Sequence, residues 1–352
     1  MRPLHVAFAA VAACACAIVA APAGAAPAPP ATAWAQPHVK AVVAAGLAPD
    51  VRSFAPERPL TQAALAAAID LLPAAQQSRT RTTYRYTAPA PARPVTIREL
   101  NAALVGSLGL GDAARAVTAQ LRAAGLEPKA GAGTEVVARL LGLRFNHPAG
   151  QDAREVAAGD VATRAEAAYS LARMLKLSGW TAEWVRTQGL AFTLPELTPL
   201  QRQVLRRAVS FVGFPYVWGG TSERPQQLFG QSVPGGFDCS GFIWRVFKLE
   251  PFAGASALAT VLRGRTTYEL SGEVAATSRI KRPESLQPGD VIFQGDAGPK
   301  SKPAQVGHAG IYLGGGWFVH SSGNGTTLHP FDGWYRDRFA WARRPLREAG
   351  LA

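Results

Sequence analysis

The chain has 352 residues, of which 48% are hydrophobic and 17% charged, so it can bury a sizeable core and is not a disordered protein. Its formal net charge of +13 favours a polyanionic neighbourhood. Nucleic acid, an anionic membrane surface and a phosphate-bearing wall polymer all meet that condition, so charge alone does not choose among them.

The first 25 residues have the three parts of a secretory signal peptide. A positive start, Met1-Arg2-Pro3, is followed by an apolar run over 6–20 and by small residues at Ala23-Gly24-Ala25 that suit cleavage. The run is shorter than the ~20 residues that span a bilayer, so an uncleaved anchor is the alternative. We predict a signal peptide over 1–25, an Ala/Pro linker over 26–33 and secretion of the remaining chain.

One of the three cysteines, Cys239, differs from the other two in its place in the chain. Cys14 and Cys16 lie inside the apolar run, and Val11-Ala12-Ala13-Cys14 weakly resembles a bacterial lipoprotein box. Contact with a membrane is therefore expected only if Cys14 carries a lipid. Once the signal is removed, Cys239 is the one remaining thiol and has no partner for an internal disulfide outside the cell. This lone exported cysteine is a candidate nucleophile.

The segment 34–177 is predicted to be all-helical, because it is rich in Ala, Leu and Arg and its apolar residues recur at helical spacing. The predicted helices cover 39–47, 61–72, 97–108, 113–126, 134–143 and 163–177. Trp180, Trp184 and Pro195 interrupt this pattern, so we predict a connector over 178–197. Thr198-Pro199 then begins a helix that runs to residue 212.

Three of the predicted helices begin alike, with an apolar residue followed by a Thr that can cap the helix. These openings are Leu60-Thr61, Val95-Thr96 and Ala162-Thr163. Together with Trp34-Ala35 and Phe54-Ala55-Pro56 ahead of the first, they resemble the S-layer homology repeat, although only Thr163-Arg164-Ala165-Glu166 keeps its full helix start. The resemblance implies docking on an anionic cell-wall polymer. A plain helical domain with capped helices is the alternative.

Five sequence blocks of the second half follow one another in a fixed order. They include Trp218-Gly219-Gly220, Asp238-Cys239-Ser240-Gly241, Pro288-Gly289-Asp290, Gly307-His308-Ala309-Gly310 and Phe318-Val319-His320. In this order the blocks resemble the NlpC/P60 cysteine peptidases. The resemblance implies an α+β fold over 198–345, with helices packed on an antiparallel sheet in a papain-like arrangement. It also implies hydrolysis of a peptide bond in the peptidoglycan stem, between γ-D-Glu and a diamino acid.

The residues around Cys239 make a physical case of their own for a nucleophile. Asp238 is a good N-cap, and apolar residues at helical spacing follow over 242–247. Cys239 would then lie in the first turn of a helix, where the helix dipole and a nearby imidazolium lower a thiol pKa. A buried, inert helix cysteine is the alternative. The Cys239 backbone N–H is our candidate for the oxyanion hole.

Two histidines can complete the site if a predicted hairpin has the right register. Residues 307–313 and 317–320 are predicted strands, joined at Gly314-Gly315-Gly316. A three-residue loop places His308 and His320 on one face as diagonal neighbours, whereas a two-residue loop places them on opposite faces. Catalysis therefore requires an odd-numbered loop or a compensating bulge.

The resemblance implies that His308 is the general base and that His320 orients its ring. We assign Tyr216, Asp238 and Ser240 to binding of the oxyanion or the substrate, with packing as the alternative for Tyr216. No metal or cofactor is predicted, and a zinc site built from the cysteine and the two histidines is the alternative.

Other residues are predicted to be structural. We place Trp218 in the core, give Asp290 a role in shaping a turn, and assign His329 and Asp332 to a surface loop. Two polar loops, over 222–235 and 295–305, depart from the family pattern and would flank the cleft.

The predicted partners are peptidoglycan stem peptides and an anionic wall polymer. Nucleic acid is not an expected partner, because an exported protein is separated from it and the sequence has no nucleic-acid recognition motif. Two alternatives stay open: another thiol acyl transfer on wall peptides, as in an amidase or a transpeptidase, and a wall-anchoring protein whose peptidase site has decayed.

Overall fold

The computed structural model describes residues 33–48, 50–72, 84–145, 155–249 and 252–351. The predicted signal peptide, with Cys14 and Cys16, and all but the last residue of the predicted linker lie outside them. The chain is α+β, with a helical N-terminal half followed by a five-stranded antiparallel sheet and its helices. Among the described residues, no helix has the length and apolar character needed to cross a membrane.

All six helices predicted for the N-terminal half are present, with ends within three residues of the predicted ones. They are α1 (Gln36–Ala44), α2 (Gln62–Asp70), α3 (Ile97–Ser107), α4 (Gly111–Ala123), α5 (Ala132–Leu140) and α6 (Arg164–Lys176).

The predicted connector contains a further helix, α7 (Gly179–Ala191), which sequence reasoning missed. Ser178 caps it, because its hydroxyl accepts a hydrogen bond from the Thr181 N–H at 3.1 Å. The helix lies close against α4: a Cβ on Gly189 would be 2.8 Å from the Cβ of Ala113. Trp180 is 75% exposed, so the break in the apolar pattern marks the solvent face of a helix.

The three Thr-capped helix openings meet in a closed ring of backbone hydrogen bonds. The N–H of Leu60 donates to the carbonyl of Ala162, that of Ala162 to Val95, and that of Val95 to Leu60, each at 2.8 Å. The capping hydroxyls belong to Thr61, Thr96 and Thr163. The three openings are therefore structurally equivalent, which explains their similar sequences. Their assignment to the S-layer family stays a prediction.

The second half is organised around one antiparallel sheet with the strand order β8-β7-β6-β5-β9. Its strands are β5 (Val291–Gly295), β6 (Val306–Gly314), β7 (Trp317–Ser322), β8 (Gly325–Pro330) and β9 (Phe339–Arg343). Four short strands precede it: β1 (Thr221–Ser222), β2 (Gln226–Leu228), β3 (Gln231–Val233) and β4 (Gly236–Phe237). The predicted polar loop over 222–235 thus contains a small hairpin, β2–β3.

The helices of this half are α8 (Pro199–Ser210), α9 (Cys239–Phe247), α10 (Leu258–Val261), α11 (Thr267–Gly272), α12 (Gly333–Asp337) and α13 (Pro345–Glu348). Short 3-10 turns lie at Ala33–Ala35, Pro283–Ser285, Gly298–Lys300 and Pro303–Gln305. The last two lie within the loop predicted over 295–305. Helix α9 packs against β6 and β7, which brings its first turn to the sheet.

One hydrophobic core runs across both halves. It joins Phe242 of α9 and Ile311 of β6 to Val209 of α8 and on to Val117 of α4 and Val136 of α5. A second core fills the helical half, and a third covers the other face of the sheet. Because the first core is continuous, the helical half shares its core with α9, the helix that begins at Cys239.

A buried arginine adds a polar link between the halves. The Arg139 side chain is fully buried, and its guanidinium donates to Glu135 at 2.8 Å and to Glu155 at 3.1 Å. It also donates to the carbonyl of Gly213 at 2.9 Å and to that of Asn324, in the turn between β7 and β8. Arg139 therefore connects α5 to the start of the loop over 213–220 and to the end of the sheet.

We predict that Arg139→Ala lowers the free energy of unfolding by about 3–5 kcal/mol, since it leaves Glu135 and Glu155 buried without this charge partner. Urea denaturation measures the change. Arg115→Ala, which removes an exposed arginine from neighbouring α4, should change it by less than about 0.5 kcal/mol. Equal effects of the two substitutions would contradict the role given to Arg139.

Candidate active site

The β6–β7 hairpin has the register that the site requires. Ile311 pairs with Val319 and Tyr312 with Phe318, which is the register predicted from a three-residue loop. The turn itself is shorter: Gly314 pairs with Trp317, and the register shifts between Tyr312 and Gly314. A bulge in β6 thus supplies the extra residue that makes the count between the paired positions odd. The turn residues Gly315 and Gly316 both take positive φ, as tight hairpin turns require.

This register brings the two predicted histidines together. Nε2 of His308 lies 2.8 Å from Nδ1 of His320, a hydrogen-bond distance. His320 is fully buried, whereas His308 is half-buried. Rings surround the inner histidine: the centroids of Phe318 and Tyr335 lie 4.5 and 5.0 Å from that of His320. His320 therefore has little freedom to turn, and it holds the ring of His308.

Cys239 begins α9, as predicted. Asp238 caps the helix, since its Oδ1 accepts a hydrogen bond from the Gly241 N–H at 2.5 Å. Gly241 allows a close approach at this turn, because a Cβ there would lie 1.9 Å from the carbonyl oxygen of Gly220. The first turn of α9 is thereby locked against the loop over 213–220.

The thiol lies at the base of a cleft of about 410 Å³. Cys239 is 8% exposed, and Tyr216, Asp238, Ser240 and Arg265 also line the cleft. The cleft ends at Gly307, the residue before His308. A second pocket of about 300 Å³ continues from Gly307 past His308. The two pockets share Gly307, so the predicted catalytic residues Cys239 and His308 line neighbouring pockets.

Burial decides the protonation state of the thiol. It raises the pKa of Cys239 to about 12, and the negative charge of Asp238 acts in the same direction. The backbone N–H of Ala309 bonds to the sulfur and lowers the pKa by less. The position of Cys239 at the helix start therefore does not give its thiol the low pKa expected from the sequence, because burial has the larger effect on that pKa.

His308, the candidate base, has the opposite shift. Burial, and then electrostatic repulsion from the protonated form of His329, lower the pKa of His308 to about 4. Burial also lowers the pKa of His320 well below its ordinary value. Both shifts favour a protonated thiol and a neutral imidazole at neutral pH, so a Cys239 nucleophile would have to lose its proton during the attack.

The hydrogen bond between the histidines limits which nitrogen takes that proton. If Nε2 of His308 donates to Nδ1 of His320, then Nδ1 of His308 is bare and can act as the base. His320 then carries its own proton on Nε2, a buried atom with no hydrogen-bond partner among the described residues. A catalytic role for Nδ1 of His308 therefore requires one particular tautomer of each ring.

Arg265 is the site residue that sequence reasoning left without a role. Its guanidinium donates to both carboxylate oxygens of Asp238, at 3.2 and 3.1 Å, and to the Ser240 hydroxyl at 2.8 Å. Oδ2 of Asp238 also accepts from the Gly219 N–H at 2.9 Å. Asp238 and Ser240 therefore bind each other and Arg265. The one sequence signal is its place in the Arg265-Thr266-Thr267-Tyr268 segment, between Cys239 and the two histidines.

The remaining residues singled out in the sequence lie in different environments. Tyr216 lines the cleft, and Asp290 is buried and accepts two hydrogen bonds from Arg344, at 2.8 and 2.9 Å, consistent with a turn-shaping role.

Trp218 was predicted in the core but is 62% exposed, since it lies at the rim of the cleft. The assignment of His329 to a surface loop was also wrong, because His329 lies in β8 with its ring 4.7 Å from that of Tyr335. No group of three or more His, Cys, Asp or Glu side chains suited to a metal ion occurs in the described part of the chain.

We predict that His320→Phe lowers kcat by about 10²-fold with little change in KM, because the ring of His308 loses its hydrogen-bond partner. Steady-state kinetics with a peptide substrate measures both constants. His320→Asn, which keeps a hydrogen-bond acceptor, should restore part of the loss. A rise in KM with kcat unchanged would contradict an orienting role.

We also predict an acid limb of kcat/KM near pH 4. A base with a lowered pKa stays neutral down to that pH, so activity should be level between pH 7 and about pH 5 and fall only below it. His329→Gln removes one cause of the shift, so the limb should move to higher pH. A wild-type limb near pH 6.5, in protein shown to be folded by circular dichroism, would contradict the assignment.

Comparison with known proteins finds matches to this half of the chain. Residues 213–344 match the NlpC/P60 family. A Mycobacterium tuberculosis protein described as a probable endopeptidase is 35% identical over 142 residues, 40% of this chain and 28% of that protein. The probable peptidoglycan endopeptidase LytE of Bacillus subtilis is 30% identical over 138 residues, 39% of this chain and 32% of LytE.

A third relative, the gamma-D-glutamyl-L-lysine dipeptidyl-peptidase of Bacillus subtilis, is 28% identical over 125 residues, 36% of this chain and 33% of the relative. The chain thus spans about a third of the length of each of these relatives. Residues 213–344 of this chain form an NlpC/P60 family domain.

Proposed function

We propose that this protein is a cysteine endopeptidase that hydrolyses peptide bonds in the peptidoglycan stem, with Cys239, His308 and His320 as its catalytic unit. The observation that carries the proposal is the 2.8 Å contact between His308 and His320, on strands that pack against the helix of Cys239. One relative named as a probable peptidoglycan endopeptidase and another named as a gamma-D-glutamyl-L-lysine dipeptidyl-peptidase support a cell-wall hydrolase.

In the first half of the reaction, the Cys239 sulfur attacks the peptide carbonyl while Nδ1 of His308 takes the thiol proton. The resulting tetrahedral oxyanion is bound by the Cys239 backbone N–H at the start of α9 and by the Tyr216 hydroxyl. The C–N bond then breaks, the leaving amine takes the proton from His308, and a thioester remains on Cys239.

In the second half, His308 accepts a proton from water as that water attacks the thioester. The C–S bond breaks, and the thiolate regains the proton. His320 keeps the ring of His308 aligned through both halves, and Arg265 and Asp238 hold the cleft wall. This arrangement of a helix-borne cysteine facing strand-borne histidines is the papain-like one that we propose for the domain.

The bond that we propose lies between γ-D-Glu and a diamino acid. One relative is named as a gamma-D-glutamyl-L-lysine dipeptidyl-peptidase. That name supports an acidic acyl portion in the substrate of this chain.

The helical half is proposed to hold the enzyme at the cell wall after secretion. A groove of about 930 Å³ between α3, α4 and α5 is lined by Arg115 and Arg122, which have no acidic partner among the described residues. Asp112 also lines it but pairs with Arg186 at 3.0 Å. The net charge of +13 and this basic groove are complementary to an anionic wall polymer.

The proposal is tested by incubating purified peptidoglycan with wild type and with Cys239→Ala and analysing the soluble products by mass spectrometry. We expect wild type to release stem fragments that end in γ-D-Glu, and Cys239→Ala to release none. Sedimentation of both proteins with intact sacculi measures wall binding, and Cys239→Ala measures it without turnover.

Other outcomes would identify the alternatives. Cross-linked or transferred peptides in place of free fragments would indicate a transpeptidase, and cleavage at the sugar–peptide amide would indicate an amidase. Sacculus binding that is equal in both proteins, with no product from wild type, would indicate a wall-anchoring protein and contradict the enzyme.

A further inference from the structure

The small hairpin β2–β3 carries an unusual residue at its tip. Its two-residue turn, Phe229-Gly230, has φ of +51° and +78°, the left-handed values that tight hairpins demand. Glycine or asparagine usually occupies the first of these positions, and a bulky residue with positive φ is an outlier. Phe229 is nevertheless 79% exposed, so no core contact accounts for it. Such outliers concentrate at functional sites.

The hairpin is held firmly at its base. Glu223 forms a bidentate ion pair with Arg245 of α9, at 2.8 and 2.7 Å. The Gln226 side chain accepts from the Thr221 N–H at 2.8 Å and donates to the carbonyl of Gly236 at 3.1 Å. The ion pair thus anchors the base of the hairpin to α9, the helix that begins at Cys239.

The ring of Phe229 extends the catalytic cleft. A Cβ on Gly219 would lie 3.1 Å from the ring, so the ring lies directly over this backbone. Gly219 lines the cleft of Cys239, and so does Trp218, which is 62% exposed. Phe229 and Trp218 together form an aromatic rim next to the cleft that contains the nucleophile.

The chemistry of the rim indicates its ligand. The stem peptide of the proposed function consists of small and acidic residues and a diamino acid, which offer no large apolar side chain to two exposed rings. The sugars to which the stem is attached do offer flat faces of C–H groups, and such faces stack on aromatic rings. We propose that the aromatic rim of Phe229 and Trp218 binds a sugar ring of the glycan strand and gives preference to stem peptides that are still attached to glycan.

This inference rests on the proposed function, and kinetics with two substrates test it. The substrates are a disaccharide-linked stem peptide and the same peptide without sugar. Phe229→Gly removes the ring and also relieves the positive φ, so a loss cannot be attributed to backbone strain. We expect it to raise KM for the glycan-linked substrate roughly 3- to 10-fold and to bring the KM ratio of the two substrates toward one.

Two variants serve as controls. Phe229→Tyr, which keeps the ring, should keep the preference for the glycan-linked substrate. Trp180→Ala removes a 75% exposed aromatic side chain from α7, outside the cleft, and should leave both KM values unchanged. An equal rise of KM on both substrates after Phe229→Gly would assign the rim to the peptide and overturn the inference, as would no change on either.

Binding separates this inference from the proposed function. Titration of the glycan-linked peptide and of the sugar-free peptide into Cys239→Ala and into Cys239→Ala/Phe229→Gly measures sugar recognition without turnover. Tighter binding of only the glycan-linked peptide by the first protein supports the rim even if wild type cleaves neither substrate, an outcome that would contradict only the proposed function. Equal binding overturns the inference even if wild type is active.

Discussion

The register of one hairpin governs this site. Strand side chains alternate between faces, so His308 and His320 meet only if an odd number of residues separates the paired positions at the turn. The chain achieves this with a bulge near Leu313 and a two-residue glycine turn. The hydrogen bond of 2.8 Å between the two rings is the result. A one-residue slip would move His320 to the other face of the sheet, and His308 would lose its orienting partner.

A second network fixes the start of α9, where Cys239 lies. Asp238 caps α9, accepts from Gly219 and pairs with Arg265, so one carboxylate fixes the helix start, the loop over 213–220 and the cleft wall. Burial raises the pKa of the Cys239 thiol and lowers that of His308, which favours a protonated thiol beside a neutral imidazole. In the proposed mechanism, Cys239 therefore depends on His308 for activation. The continuous core and Arg139 extend this support into the helical half.

Much of this arrangement could be predicted from local sequence. Helix caps such as Asp238 and Thr163 depend on neighbouring residues, and the alternation of β6 and β7 restricts the histidines to two registers. What could not be predicted depends on distant contacts. The pair of Arg265 and Asp238 joins residues 27 positions apart, and Arg139 reaches a carbonyl 185 positions away. Trp218 is exposed despite its apolar ring, and the pKa of Cys239 depends on burial by the whole domain.

The central claim is that Cys239 attacks from the thiol form while a neutral His308, held by His320, takes its proton. Nitrogen-15 NMR of the two imidazole rings at pH 7 tests this most directly, with His308→Gln and His320→Asn used to assign the signals. The account predicts that His308 is neutral, with its proton on Nε2 and a bare Nδ1, and that His320 is neutral with its proton on Nε2. A doubly protonated His308 at pH 7, which would indicate a preformed thiolate–imidazolium pair, would contradict it.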